Sequence, residues 1–250
     1  LQVMEETGLA ACTMATDGAR VYAIFATGDL AAFHLDGKRA WHKSLGMPDS
    51  AYGYASSLET FGGRVLVQFD QGHGEDNRSK VLALDGPTGR LVWEKARPVG
   101  GSWTSPIVAR VGGAFQLVTV ANPWVIAYDP NQGDEIWKAS VAGGDVAPSP
   151  ICAEGLVLAI EPYSRVAAVR ADGRGDVTES HVAWQSDAGG PDICSPLSDG
   201  RYVYLLDTSG SLTVLNLSDG KPVYQQAIEG GFMASPSLVG GEAYLVSDKG

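Results

Sequence analysis

Ala83-Leu84-Asp85-Gly86-Pro87-Thr88-Gly89-Arg90-Leu91-Val92-Trp93 is echoed, one repeat later, by Ala127-Tyr128-Asp129-Pro130-Asn131-Gln132-Gly133-Asp134-Glu135-Ile136-Trp137. Ala, Asp, Gly and Trp hold the same offsets in both stretches, and each has a physical task. Asp accepts hydrogen bonds from the N–H groups of its own turn. Gly takes the positive φ that a tight hairpin turn needs. Trp, on the strand after the turn, wedges between neighbouring sheets while its indole N–H finds a carbonyl. Ala leaves room for that ring. The flanking runs are apolar and β-rich, so the unit is a hairpin.

Weaker copies extend the series. Ala32-Phe33-His34 precedes Gly37 and Trp41, one residue shorter. Ala168-Val169-Arg170 is separated from Trp184 by an expansion, and Val214-Leu215-Asn216 leads through Gly220 to Tyr224. A second series interleaves with the first: Ser105-Pro106, Ser149-Pro150, Ser195-Pro196 and Ser235-Pro236, with Ser56-Ser57 and Cys12-Thr13 as weaker members. Steps within each series run from 40 to 52 residues, the size of one four-stranded propeller blade. The third repeat shows the four strands: 105–111, a Gly112-Gly113 turn, Phe115 to Ala121, an Asn122-Pro123 turn, Trp124 to Tyr128, then Glu135 to Ser140. The fold predicted is all-β: a propeller of four-stranded antiparallel blades, five complete repeats and a partial sixth. Blades are expected at roughly 11–55, 56–104, 105–148, 149–194 and 195–234, with 235–250 and 1–10 sharing the sixth. Thirty-two Gly and thirteen Pro suit so many turns.

These repeats resemble the pyrroloquinoline-quinone (PQQ) repeat family of β-propellers, over nearly the whole chain. The family includes PQQ alcohol dehydrogenases, the propeller lipoprotein of the outer-membrane β-barrel assembly machinery and many secreted bacterial propellers. Gly175 to Trp184 and Leu30 to Gly37 look most like the last group. The resemblance implies a bacterial cell-envelope setting, periplasmic or extracellular, and relatives of about eight blades. Leu1 to Met4 align with a fourth strand and Ala243 to Gly250 with a second strand and its turn. Two arrangements fit: a segment of an eight-bladed ring, which the resemblance favours, or a six-bladed ring closed through a shared blade, which would leave no exposed edges.

Composition narrows the partners. The formal charge of -11 is dispersed and repels phosphate backbones, which argues against nucleic acid. No apolar run is long enough to span a membrane. Leu1 opens no signal-peptide pattern, as expected of a mature or trimmed chain. Cys12, Cys152 and Cys194 form no CxxC pair and read as small buried side chains. His34, His42, His73 and His181 are scattered. The polar loop Gln71 to Ser79 carries His73, Glu75 and Asp76 but lacks calcium-loop spacing, so it reads as solvated.

Two sets of connections fall on one face of a propeller. Tyr52, Tyr54, Trp103, Asp145, Asp192 and Phe232 precede inner strands; Asn122, Trp124 and Tyr163 lie in the other set. Rim aromatics bind peptide or sugar, or pack between blades. Tyr54, Trp103, Trp124, Tyr163 and Phe232 are the candidate partner-binding residues, and an open blade edge is a second candidate surface. Trp41, Trp93, Trp137, Trp184 and Tyr224 are the structural repeat residues. The expected function is a non-enzymatic scaffold that binds a protein or glycan in the cell envelope, without catalytic residues, cofactor or metal. The alternative is a PQQ-dependent quinoprotein dehydrogenase. Such enzymes carry a vicinal Cys-Cys disulfide and a Glu/Asn/Asp calcium set, and the three Cys here include no adjacent pair.

Overall fold

Residues 10–250 are described by the computed structural model. The expected fourth strand at Leu1 to Met4 lies outside the described residues. Five four-stranded meanders follow one another, each with strands paired antiparallel in chain order. Blade 1 holds Ala15–Thr16, Arg20–Ile24, Asp29–His34 and Arg39–Ser44; blade 2 holds Glu59–Phe61, Arg64–Phe69, Lys80–Asp85 and Leu91–Ala96. Blade 3 holds Ile107–Val111, Ala114–Ala121, Trp124–Tyr128 and Glu135–Ser140; blade 4 holds Ile151–Ala153, Leu156–Glu161, Arg165–Arg170 and Val182–Ser186. Blade 5 holds Leu197–Ser198, Tyr202–Leu206, Ser211–Asn216 and Pro222–Ala227, and the hairpin Ser237–Val239/Glu242–Tyr244 follows it.

The middle strands are buried on both faces, as in Val81-Leu82-Ala83-Leu84, because every inner blade has a neighbour on each side. The core is therefore divided by interface. One cluster around Tyr22, Leu30, Val67 and Leu82 joins blades 1 and 2, and another around Leu66, Trp93, Leu117 and Ile126 joins blades 2 and 3. Clusters centred on Trp137, Trp184 and Leu212 fill the later joints.

The Ser-Pro series links the innermost strands. The backbone N–H of Thr13 donates to Ser57 Oγ (3.0 Å), and the N–H of Ser57 to Ser105 Oγ (2.9 Å). The N–H groups of Ser105, Ser149 and Ser195 continue to the Oγ atoms of Ser149 (2.8 Å), Ser195 (2.9 Å) and Ser235 (2.9 Å). Each hydroxyl satisfies a donor that its neighbour's sheet leaves unpaired. The following Pro106, Pro150 and Pro196 are buried and carry no N–H to satisfy.

The Trp series links the outer strands. Trp41 Nε1 donates to Gly86 O (2.7 Å), Trp93 Nε1 to Pro130 O (3.2 Å) and Trp184 Nε1 to Leu217 O (2.8 Å). Each acceptor is the residue after the turn Asp or Asn of the next blade. The ring lies across the Gly of that same turn. A Cβ on Gly89 would stand 2.7 Å from the Trp41 ring, and one on Gly133 would stand 2.5 Å from the Trp93 ring; Gly220 faces Trp184 in the same way. Gly is thus fixed twice, by its positive φ (69°, 74° and 68° at Gly89, Gly133 and Gly220) and by the clearance the indole needs. Ala32, Ala83, Ala127 and Ala168 sit directly opposite the four Trp in register.

Trp137 is the exception. Its blade-4 neighbour carries the expansion instead of the short Gly turn. Gly175–Asp176 runs parallel to Trp137 and Lys138 as a fifth strand on blade 3, and a single helical turn, Thr178–His181, follows. Trp137 is fully buried and its Nε1 donates to Gln116 Oε1 (2.9 Å), whose Nε2 donates to Ala171 O (2.9 Å). Ala171 holds the place of Gly86, Pro130 and Leu217, so the same carbonyl is reached through one intervening amide. Tyr224 is 48% exposed; the hairpin after it supplies no third-to-fourth turn within the described residues.

Gly37 (φ 83°) has open space where a Cβ would go. Gly37→Ala and Gly133→Ala therefore share the backbone penalty, and only the second meets an indole. Gly133→Ala is expected to cost about 1–3 kcal/mol more, the range for overpacking, in matched denaturant melts; equal losses would refute the docking role. Trp137→Ala is expected to cost about 3–5 kcal/mol, whereas Tyr224→Ala should cost about 1 kcal/mol or less.

Candidate binding face

Connections between blades and connections between second and third strands are knitted together by backbone bonds. Tyr54 N–H donates to Ala26 O (2.9 Å), Trp103 N–H to Val146 O (3.0 Å), Tyr163 N–H to Gly190 O (3.0 Å) and Phe232 N–H to Thr208 O (3.1 Å). The face is therefore a continuous, internally bonded surface. Its aromatics divide by burial. Tyr54 (4% exposed) stacks on Phe69 with centroids 5.5 Å apart, and Phe232 (2% exposed) packs with Leu206, Leu212 and Val214. Both are anchors that cover the ends of the inner strands. Trp103 is half-buried, edge-on to Tyr52 at 5.1 Å. Tyr163 is 80% exposed and holds a left-handed backbone, φ 62°. Trp124 is half-buried under the Lys138 ammonium, 5.2 Å from its ring, and packs against the cluster joining blades 2 and 3.

Tyr52, Trp103 and Tyr163 are brought together with Asp145, Asp192 and Ile193 around a cavity of about 390 Å³. Trp124 does not line it. Burial pushes the Asp192 carboxyl up, but hydrogen bonds from the Thr208 hydroxyl and backbone outweigh it and hold the pKa below the ordinary carboxylate range. The cavity thus joins aromatic walls to an ionised carboxylate.

The polar loop is stitched by its own cation. Arg78 Nη2 reaches Asp49 Oδ2 at 2.5 Å and Asp76 Oδ2 at 2.9 Å, and Asp76 also accepts the His73 N–H at 2.9 Å. Among the described residues no group of three His, Cys, Asp or Glu side chains is placed to hold a metal ion. Cys12 Sγ donates to Tyr54 O (3.5 Å) and Cys194 Sγ to Phe232 O (3.6 Å), so both thiols tie connections down. Burial pushes the Cys12 thiol up to about 12 and the Cys194 thiol to about 11.

A buried polar network beneath this face has no counterpart in the sequence reading. Arg97 and Asp70 side chains are both fully buried and pair through Nε–Oδ1 (2.7 Å) and Nη2–Oδ2 (3.1 Å). Arg97 Nη1 also donates to Thr119 Oγ1 and to Tyr128 Oη. Gln68 Nε2 donates to Asp70 Oδ2 (2.7 Å) and lies within bonding distance of Ser102, Thr104 and the Val120 carbonyl. Burial works against the Arg97 charge, but Asp70 and Tyr128 outweigh it and raise its pKa. The network bolts blade 2 to the connection that carries Trp103. Only the spacing of Asp70 and Arg97 at the ends of the second and fourth strands of one repeat could have signalled it.

Residues 77–176 and 164–250 match the PQQ-type repeat model described as "Outer membrane protein assembly factor BamB". The chain belongs to this family. BamB of Yersinia pestis is 25% identical over 228 residues, covering 86% of this chain and 53% of that protein. The chain thus spans about half the length of this relative. BamB from Moraxella catarrhalis superposes with a TM-score of 0.73 at 16% identity, over 94% of this chain and 68% of that one. A quinohemoprotein alcohol dehydrogenase from Pseudomonas putida gives 0.51 at 13% identity, over 92% and 61%. The last two show a shared propeller fold.

Removing Asp70 leaves Arg97 as an uncompensated buried charge. Asp70→Ala is expected to lose about 3–5 kcal/mol in a denaturant melt. The Asp70→Leu/Arg97→Met double variant should recover most of that loss; a double variant no better than the single one would remove charge burial as the cause.

Proposed function

We propose that this chain is a non-enzymatic propeller scaffold that holds a protein partner in the bacterial cell envelope, within the outer-membrane protein assembly for which its relatives are named. Membership of the BamB family carries this reading. The blade divisions at 56, 105, 149, 195 and 235 belong to it, as does a periplasmic location. The partner surface is the connection face. Trp103 and Tyr163, with Tyr52, supply rigid apolar contact area beside Asp145 and Asp192, and Trp124 extends the surface outward. Tyr54 and Phe232 support it from beneath. A few aromatic anchors of this kind carry most of the energy in many interfaces. The opposite face, built of Asp-Gly and Gly-Gly turns, offers little to grip. A net charge of -11 keeps nucleic acid off it.

Surface labelling of the chain bound to an envelope protein tests the face. Protection of Trp103 and Tyr163 is expected, with Gly112-Gly113 and Asp219-Gly220 unchanged. Protection confined to those turns would reverse the assignment. Titration with PQQ and calcium, followed by absorbance, tests the non-enzymatic half; stoichiometric binding tighter than about 1 μM with dye-linked alcohol oxidation would overturn it.

A further inference from the structure

Beside the aromatic cavity, a second cleft of about 390 Å³ opens between blades 4 and 5, within the size range of small-molecule sites, roughly 300–1,000 Å³. Its floor is a register row across blade 5: Leu205 opposite Thr213, and Thr213 opposite Gln225. The row is unusual for this repeat. The residue paired with the position after the Trp or Tyr is Ala31 in blade 1, Leu82 in blade 2, Ile126 in blade 3 and Ala167 in blade 4. Only blade 5 places a hydroxyl there. Thr213 is 7% exposed and lines the cleft, and no protein group among the described residues bonds its hydroxyl. The hydroxyl is open to the cleft, where it is free to donate to and accept from a ligand.

The remaining walls supply what such a ligand would meet. Asp207 spends Oδ1 on its own turn, accepting from Ser209 N–H (2.9 Å), Ser209 Oγ (2.7 Å) and Ser211 N–H (2.9 Å), which leaves Oδ2 free. Gln225 Nε2 donates to Ser211 Oγ (2.9 Å), which leaves the Gln225 carbonyl and the Ser211 proton available. The connection opposite is Ala188-Gly189-Gly190-Pro191, whose small side chains keep the cleft open. At the rim the Tyr163 ring is 80% exposed. No Lys or Arg lines the cleft, while Asp192 and Asp207 do.

We propose that this inter-blade cleft binds a neutral pyranose ring of a glycan, with Tyr163 beneath its C–H face and Thr213, Asp207 and Gln225 bonding its hydroxyls. A pyranose has both an apolar face and a fan of hydroxyls that donate and accept, which suits an aromatic platform facing free acceptors. The two carboxylates turn away uronic and phosphorylated sugars. Tyr163 and Asp192 line both this cleft and the aromatic cavity, whereas Thr213, Asp207 and Gln225 line only this cleft and Trp103 only the cavity, so the two readings are told apart at those residues.

Titration of the full chain with chitotriose, cellotriose and maltotriose, read by calorimetry and amide chemical shifts, tests the site, with digalacturonate as the charged control. At least one neutral trisaccharide is expected to bind and to shift the amides of Tyr163, Thr213 and Gln225. Tyr163→Ala and Thr213→Val should each weaken it about tenfold or more without moving the thermal midpoint, and digalacturonate should not compete. The proposal is overturned if no neutral trisaccharide binds at about 10 mM. Binding that both variants retain, a preference for digalacturonate, or a triserine peptide that shifts these amides when no sugar does would equally overturn it. Labelling protection at Trp103 is read separately and is untouched by any of these results.

Discussion

Each blade is held to the next by an indole lying across a turn that has no side chain in its way. A four-stranded sheet this small cannot bury both of its faces alone, so stability resides in the joints. At the joints of Trp41, Trp93 and Trp184 the ring brings apolar area, its N–H takes the carbonyl after the turn Asp or Asn, and the turn Gly provides both clearance and a left-handed backbone. Near the axis the same neighbours are joined by a backbone-to-serine bond. One contact fixes the outer spacing of adjacent blades and the other the inner spacing, which together set the angle between them.

The joint between blades 3 and 4 shows what happens when the turn is lost. With the Gly turn replaced by an expansion, Trp137 still needs a partner for its N–H, and Gln116 bridges to the Ala171 carbonyl that occupies the usual place. The expansion then folds back as a strand on the outer edge of blade 3, and Val177 enters the core of that joint. Tyr224 departs differently: its ring is left half in water, and its strand Pro222–Ala227 is exposed along its whole length.

What the sequence revealed follows from which interactions are local. The hairpin turn is written within a dozen residues, because Asp, Gly, Ala and Trp act on one turn and the strand pair around it; blade size and strand order followed from it. The serine chain is visible only as a recurrence, since its bonds span forty or more positions and the Ser, rather than the Pro, does the bonding. Ser57 makes the point: it has no Pro after it and still serves as acceptor and donor. Exposure at the rim was not legible. Tyr54 and Tyr163 both sit in connections of the same face, yet one caps a core and the other stands in water, and that difference depends on Phe69 and on the small Gly189-Gly190 connection opposite. The Arg97–Asp70 pair was missed for the same reason, its partners being drawn from two blades.

Function in a repeat fold is best sought where a copy breaks the pattern without a structural excuse. Trp137 and the blade-4 expansion break it and repair the joint by other means, so they are explained by packing. Arg97 and Asp70 break it and satisfy each other. Thr213 breaks it and is left with a hydroxyl facing a cleft, beside Tyr163, which is 80% exposed. Packing accounts for the first two departures and not for the third. The cleft between blades 4 and 5 and the aromatic cavity share Tyr163 and Asp192, so this one sector of the face concentrates the chemistry that the scaffold does not need for itself.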